Sequence, residues 1–267
     1  MSQQQPPSPQ PDAPPPPGPS SGAPDHADRG GRRGLWIVLG VLGVIILVLV
    51  AMWAITELAR TTTSQEQQVA ADEVDALELQ GEAGSISIVV EERGDISVRS
   101  ELTSGLWDEV SSDMTLAEGT LSVIDDCDRG VPFFTDCQVD HELVVPPEVL
   151  SSISIQATAG AIAVRGFGGE LDVFTTAGRI VVSDFAGPTA DLRSTAGQIL
   201  VDAVVAPQNI DVSTTAGEIA ILVPDEPYRV STDTTAGSVE VDVREDPDAD
   251  RSISVSSTAG TIRITRR

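Results

Sequence analysis

Six copies of Thr-Ala-Gly, with glycines at Gly160, Gly178, Gly197, Gly217, Gly237 and Gly260, restrict the folding of this chain more than any other feature. Their glycines follow one another at intervals of 18, 19, 20, 20 and 23 residues. A period this short cannot hold two packed helices, and it suits one β-solenoid coil of two short strands and two turns. Two and four residues after each glycine stand β-branched aliphatic residues, from Ile162 and Val164 through Ile199 and Val201 to Ile262 and Ile264. Seven and five residues before it the pattern returns, as in Ile153 and Ile155, Leu171 and Val173, or Ile253 and Val255. The residues between are mostly polar, so the alternation predicts strands with one buried face. Glycine takes the positive φ of a tight corner, alanine is too small to obstruct the next coil, and threonine suits a strand end.

The opposite turns differ from copy to copy: residues 166–169, 184–188, 206–209, 224–227 and 245–250. Variable turns on one edge are where a solenoid usually carries its specificity. Weaker copies precede the array. Leu77 and Leu79 flank Gly84 on one side and Ile86 and Ile88 on the other, while Gly94 is followed by Ile96 and Val98. Residues 101–147 interrupt the period, and the alternation of Val139, His141, Leu143 and Val145 predicts strands that cap the first coil. At the far end, Arg263, Arg266 and Arg267 are expected to charge the terminal coil and discourage self-assembly.

Residues 1–33 hold a Pro-rich segment, with ten of the 18 prolines before residue 29, and read as a disordered tail. Residues 34–55 read as a transmembrane helix. Leu35 to Ile55 carry no charge and would span roughly 31 Å as a helix, with Trp36 and Trp53 near the ends. Arg29, Arg32 and Arg33 precede the span, which predicts a single-pass cell-membrane protein with a cytoplasmic N-terminus and an extracellular C-terminal domain. Residues 56–73 read as a flexible stalk and residues 74–267 as the repeat ectodomain. The expected fold class is thus all-β, a two-strand-per-coil β-solenoid, plus one transmembrane helix and the tail.

Charge and residue supply narrow the chemistry. Asp and Glu number 41 against 16 Arg and no Lys, giving a net charge of −25. That excludes a nucleic-acid partner, which needs clustered cations. Nine aromatic residues disfavour a sugar-stacking platform, and the two histidines leave little for a catalytic site. His141 is the only histidine in the outer portion, where it reads as a lone strand residue, and a Ser-Lys dyad is impossible. No cofactor or metal is expected, because the acidic turns lack the spacing of calcium loops. Cys127 and Cys137, in a turn-rich stretch facing an oxidising exterior, are expected to form a disulfide. Val181, Leu200, Ala220 and Leu222 fall on the outward side of the strands after Thr-Ala-Gly, making them a candidate interaction stripe unless the insertion or stalk folds over them.

These Gly-X-Ile-X-Val units, the strands from Leu77 to Ile88 and the passage from Cys137 to Pro146 resemble the putative adhesin family of bacterial surface domains (domain of unknown function 4097). The resemblance implies a membrane-anchored envelope protein engaged in adhesion or envelope-stress signalling, with no catalytic residues. The expectation is a cell-surface interaction module that presents a rigid acidic solenoid to a cell-envelope, host or protein partner. Its alternatives are a signalling membrane protein and a self-assembling surface scaffold.

Overall fold

The computed structural model describes residues 39–51, 61–105, 108–129, 137–147 and 149–267. Residues 39–51 form a helix with every side chain exposed, and they belong to a unit separate from the β array. No helix among the described residues is long and apolar enough to cross a membrane. The rest of the expected span (34–38 and 52–55), the tail (1–33) and the start of the stalk (56–60) lie outside the described residues.

In the array, each Thr-Ala-Gly copy is one long strand bent at its glycine. These strands are β8 (Ser152–Arg165), β9 (Glu170–Phe185), β10 (Thr189–Ala203), β11 (Asn209–Val223), β12 (Pro227–Asp242) and β14 (Ser252–Arg266), with β13 (Arg244–Glu245) between the last two. Neighbours are parallel and in register, so Ile180 stands opposite Ile162 and Ile199, and Ile199 opposite Ile219. Both arms of each strand turn their aliphatic residues inward, and the methyl groups stack into one continuous core. The glycines form a column. At Gly197 (φ +141°) and Gly260 (φ +154°) the backbone lies where side chains are strained, and an added Cβ would overlap the carbonyl oxygen of Gly178 or Gly217.

The stack does not follow chain order at its end. The sequence runs β11, β12, β14, whereas the spatial order is β11, β14, β12. Ile253 therefore stands between Ile210 and Val230, and Arg263 between Ala220 and Glu240. The longest interval between glycines, 23 residues, supplies the slack for the chain to pass back over β12. Burial explains which strand takes the interior place. The inward set of β14 is Ile253, Val255, Ile262 and Ile264, all buried. That of β12 includes Thr232, and Val239 is 40% exposed. Putting the more apolar strand inside removes more hydrocarbon from water. The expectation that Arg263, Arg266 and Arg267 charge the terminal coil is thereby corrected. β14 is an interior strand, and its arginines pair with acids on the adjacent β12, Arg263 with Glu240 at 3.1 Å and Arg266 with Asp242 at 3.0 Å, while Arg267, just past β14, reaches Asp202 on β10 at 3.6 Å.

At the other end, β2 (Ala76–Ala83) and β3 (Ile86–Val90) form a further coil with Gly84 in the column, each pairing with β8. Gly94 does not join it: nothing lies within 4 Å of where its Cβ would be, and the strand that follows, β4 (Asp95–Ser104), runs antiparallel to β7 (Gln138–Val145). The insertion closes this end. β7 lies on β3, β6 (Thr120–Arg129) lies on β2, and β5 (Asp108–Ala117) forms a hairpin with β6. Residues 61–73, read from the sequence as stalk, instead form β1 (Thr61–Ala70), antiparallel to β4, and a 3-10 turn. Its Thr- and Gln-rich composition fits an edge strand whose two faces both meet water. Among the described residues the aromatic rings serve mainly as plugs: Phe167, Phe185 and Tyr228 are buried, and Gly169 and Gly187 leave room against the first two.

Candidate functional site

Register brings the candidate stripe together. Val181 on β9, Leu200 on β10 and Ala220 on β11 are directly opposite one another, with Leu222 two residues further along β11. All four are half-buried and face outward. The insertion stacks on β2 and β3 instead of folding over these strands. Along the same row Arg263 and its partner Glu240 follow Ala220 on one side, and Ala163, Ser87 and Glu142 follow Val181 on the other. The result is a narrow aliphatic band set in a polar face.

The other arm carries an acidic row. Asp172, Asp191 and Asp211 are opposite one another on three adjacent strands. Partial burial raises the Asp191 carboxyl above the ordinary aspartate range, and Asp172 and Asp211 push it the same way, while its partner Arg193 opposes them. Among the described residues no group of His, Cys, Asp and Glu has an arrangement that could hold a metal ion.

Cys127 in β6 and Cys137 before β7 form a disulfide, with Cα atoms 6.2 Å apart. Beside it lies a constellation that sequence reasoning missed. His141 Nε2 is 2.8 and 2.9 Å from the two carboxylate oxygens of Asp125, so this nitrogen donates its proton to them. Its Nδ1 is 2.9 Å from Ser100 Oγ. The hydroxyl donates to a neutral ring and accepts from a protonated one. The His141 and Asp125 side chains are 0% and 2% exposed. Their types match a hydrolase triad, but Ser100 is 6% exposed and bound into the interior, whereas a nucleophile must meet its substrate. The arrangement instead ties β4, β6 and β7 together. Only the register of β4 on β7, which sets Ser100 opposite His141, could have revealed it, and that pairing is antiparallel within an otherwise parallel repeat.

A second feature was legible but overlooked. The residue before each Thr-Ala-Gly is Ala157, Thr175, Ser194, Thr214, Thr234 or Ser257. Those of β9, β10, β11 and β14 point inward and are buried, and their hydroxyls find no hydrogen-bond partner in the protein. Small side chains are required there because the two arms converge at the bend.

The array is similar in fold to solved bacterial structures. A "putative cell adhesion protein" from Clostridium sporogenes is 12% identical with a TM-score of 0.51, over 78% of this chain and 100% of that one. A "putative adhesin" from Bacteroides fragilis is 13% identical with a TM-score of 0.44, over 76% and 97%. No curated protein matches the chain. The family model described as Toastrack DUF4097 matches residues 108–265, from the hairpin of the insertion to the last array strand, and this chain belongs to that family.

Proposed function

We propose that this chain is a single-pass, membrane-anchored bacterial surface protein, adhesin-like, whose β array acts outside the cell by contact and without catalysis. The observation that carries the reading is the in-register stack itself. Parallel pairing from β8 to β12 holds outward side chains in straight rows, a rigid display surface that needs no ligand to order it. The anchor draws support from the uncharged run 35–55, of which residues 39–51 are helical and apolar on every side. Arg29, Arg32 and Arg33 before it, against Arg60 alone in the 20 residues after it, favour a cytoplasmic N-terminus. The absence of chemistry draws support from the burial of Ser100 and His141.

The test is attachment. Cells displaying the full chain should adhere to host or envelope material more than cells without it, and removing residues 1–28 should leave that adhesion intact. Loss of the phenotype on removing the tail would favour signalling through the helix. One observation favours self-assembly as a second reading: β12 ends the stack, with only the two-residue β13 beyond it, so its backbone edge is open to another strand. A concentration-dependent rise in mass by sedimentation would support that reading.

A further inference from the structure

On the face of the first arm, away from the aliphatic stripe, lies a cleft of about 290 Å³. One row of residues crosses it on four neighbouring strands: Ile124 on β6, Gln80 on β2, Gln156 on β8 and Phe174 on β9. At about 4.8 Å per strand, Ile124 and Phe174 stand roughly 14 Å apart as the two walls. They are 44% and 42% exposed, whereas the other aromatic rings among the described residues, Phe167, Phe185 and Tyr228, are buried. Between them the floor is polar. It carries the exposed amides of Gln80 and Gln156 and the exposed hydroxyls of Thr158 and Thr176, and the acids Glu82 and Asp125 also line it, so the cleft has hydrogen-bonding groups and no cation. The Gln80 amide is held in place by a hydrogen bond to Glu78 at 2.9 Å.

We propose that this cleft binds an uncharged glycan, with one sugar face against the Phe174 ring and its hydroxyls on the glutamine and threonine floor. The assignment rests on the reading of the array as a surface interaction module. Each carboxamide offers donors and an acceptor together, and each hydroxyl offers both, which matches the vicinal hydroxyls of a sugar. A sugar's C–H face is weakly apolar and suits a single exposed ring. The scarcity of aromatic residues rules out a long stacking platform, and one ring is enough for a cleft of this size. An extended peptide is a poorer occupant. β6, β2, β8 and β9 are each paired on both sides, so no strand edge in the cleft is free to receive a peptide backbone. An anionic glycan would meet Glu78, Glu82 and Asp172 nearby and a net charge of −25.

The experiment titrates the full chain in lipid nanodiscs with cellotetraose, mannotetraose and tetra-N-acetylchitotetraose, using heparin tetrasaccharide as an anionic control. At least one neutral tetrasaccharide should bind. Phe174→Ala should weaken it at least tenfold without lowering the melting temperature, and Val181→Ser on the other arm should leave it unchanged. No binding of any neutral tetrasaccharide overturns the proposal, as does binding that Phe174→Ala leaves intact or stronger binding of heparin. Attachment assays separate this proposal from the module reading. Cells whose adhesion survives Phe174→Ala keep the module and refute the glycan site. Cells that never adhere, while the purified chain binds sugar through Phe174, refute adhesion and keep the site.

Discussion

His141 donates to Asp125 across 2.8 Å between side chains almost wholly buried, joining β7 to β6 close to where the Cys127–Cys137 disulfide ties β6 to the residue before β7. Removing one partner strands the other's polarity inside the protein. Asp125→Leu or His141→Phe alone should therefore cost about 3 to 5 kcal/mol in urea unfolding. The double replacement Asp125→Leu with His141→Phe should cost clearly less than the sum. Strictly additive costs would show that the two side chains do not depend on each other.

The glycine column makes a sharp contrast. Gly197→Ala drives a Cβ into the Gly178 carbonyl at a strained φ, and it should lower stability by about 3 kcal/mol or more. Gly94→Ala meets open space and should change it by less than about 0.5 kcal/mol. Thermal melting of the two variants checks the assignment of Gly94 to a place outside the column.

The exchanged order of β12 and β14 predicts unequal tolerance at positions the repeat makes equivalent. Ile199→Asp buries a charge in the core and should unfold the array. Val239→Asp sits on a strand at the edge and should cost no more than about 1 kcal/mol. Equal damage at both would place β12 inside the stack.

Alkaline stability should depend on one phenol. Burial of Tyr228 pushes its pKa up to about 12, with a smaller opposing pull from Arg251 and a smaller push from Glu226. A raised folded-state value means that the contribution is whole below pH 10, where the unfolded phenol is still protonated. It is then lost as the pH climbs towards 12, by about 2 to 3 kcal/mol. Its hydroxyl has no partner in the protein, so Tyr228→Phe should fold normally and flatten that alkaline loss in denaturant titrations at pH 9 to 12.

Much of the fold is legible because the repeat is local. Ile162, Ile180 and Ile199 each declare an inward face by their offset from a glycine, and parallel in-register stacking follows from identical units burying identical faces. The error over residues 61–73 has a physical source: an edge strand exposed on both faces carries no alternation, so Thr61–Ala70 looks like any polar linker. The proposed glycan cleft was illegible for another reason. Ile124, Gln80, Gln156 and Phe174 are far apart in the chain and become one row only when β6 and β9 settle on either side of β2 and β8.

From the sequence alone came the coil, its bend, its buried face and the disulfide, since each depends on residues within one period or one loop. The alternation from Val139 to Val145 likewise announced strands that cap the first coil. Tertiary packing alone decided that β14 lies inside β12 and that Ser100, His141 and Asp125 meet. Those outcomes compare one strand's buried hydrocarbon and charge pairs with another's, and such a competition has no signature within any single stretch of chain.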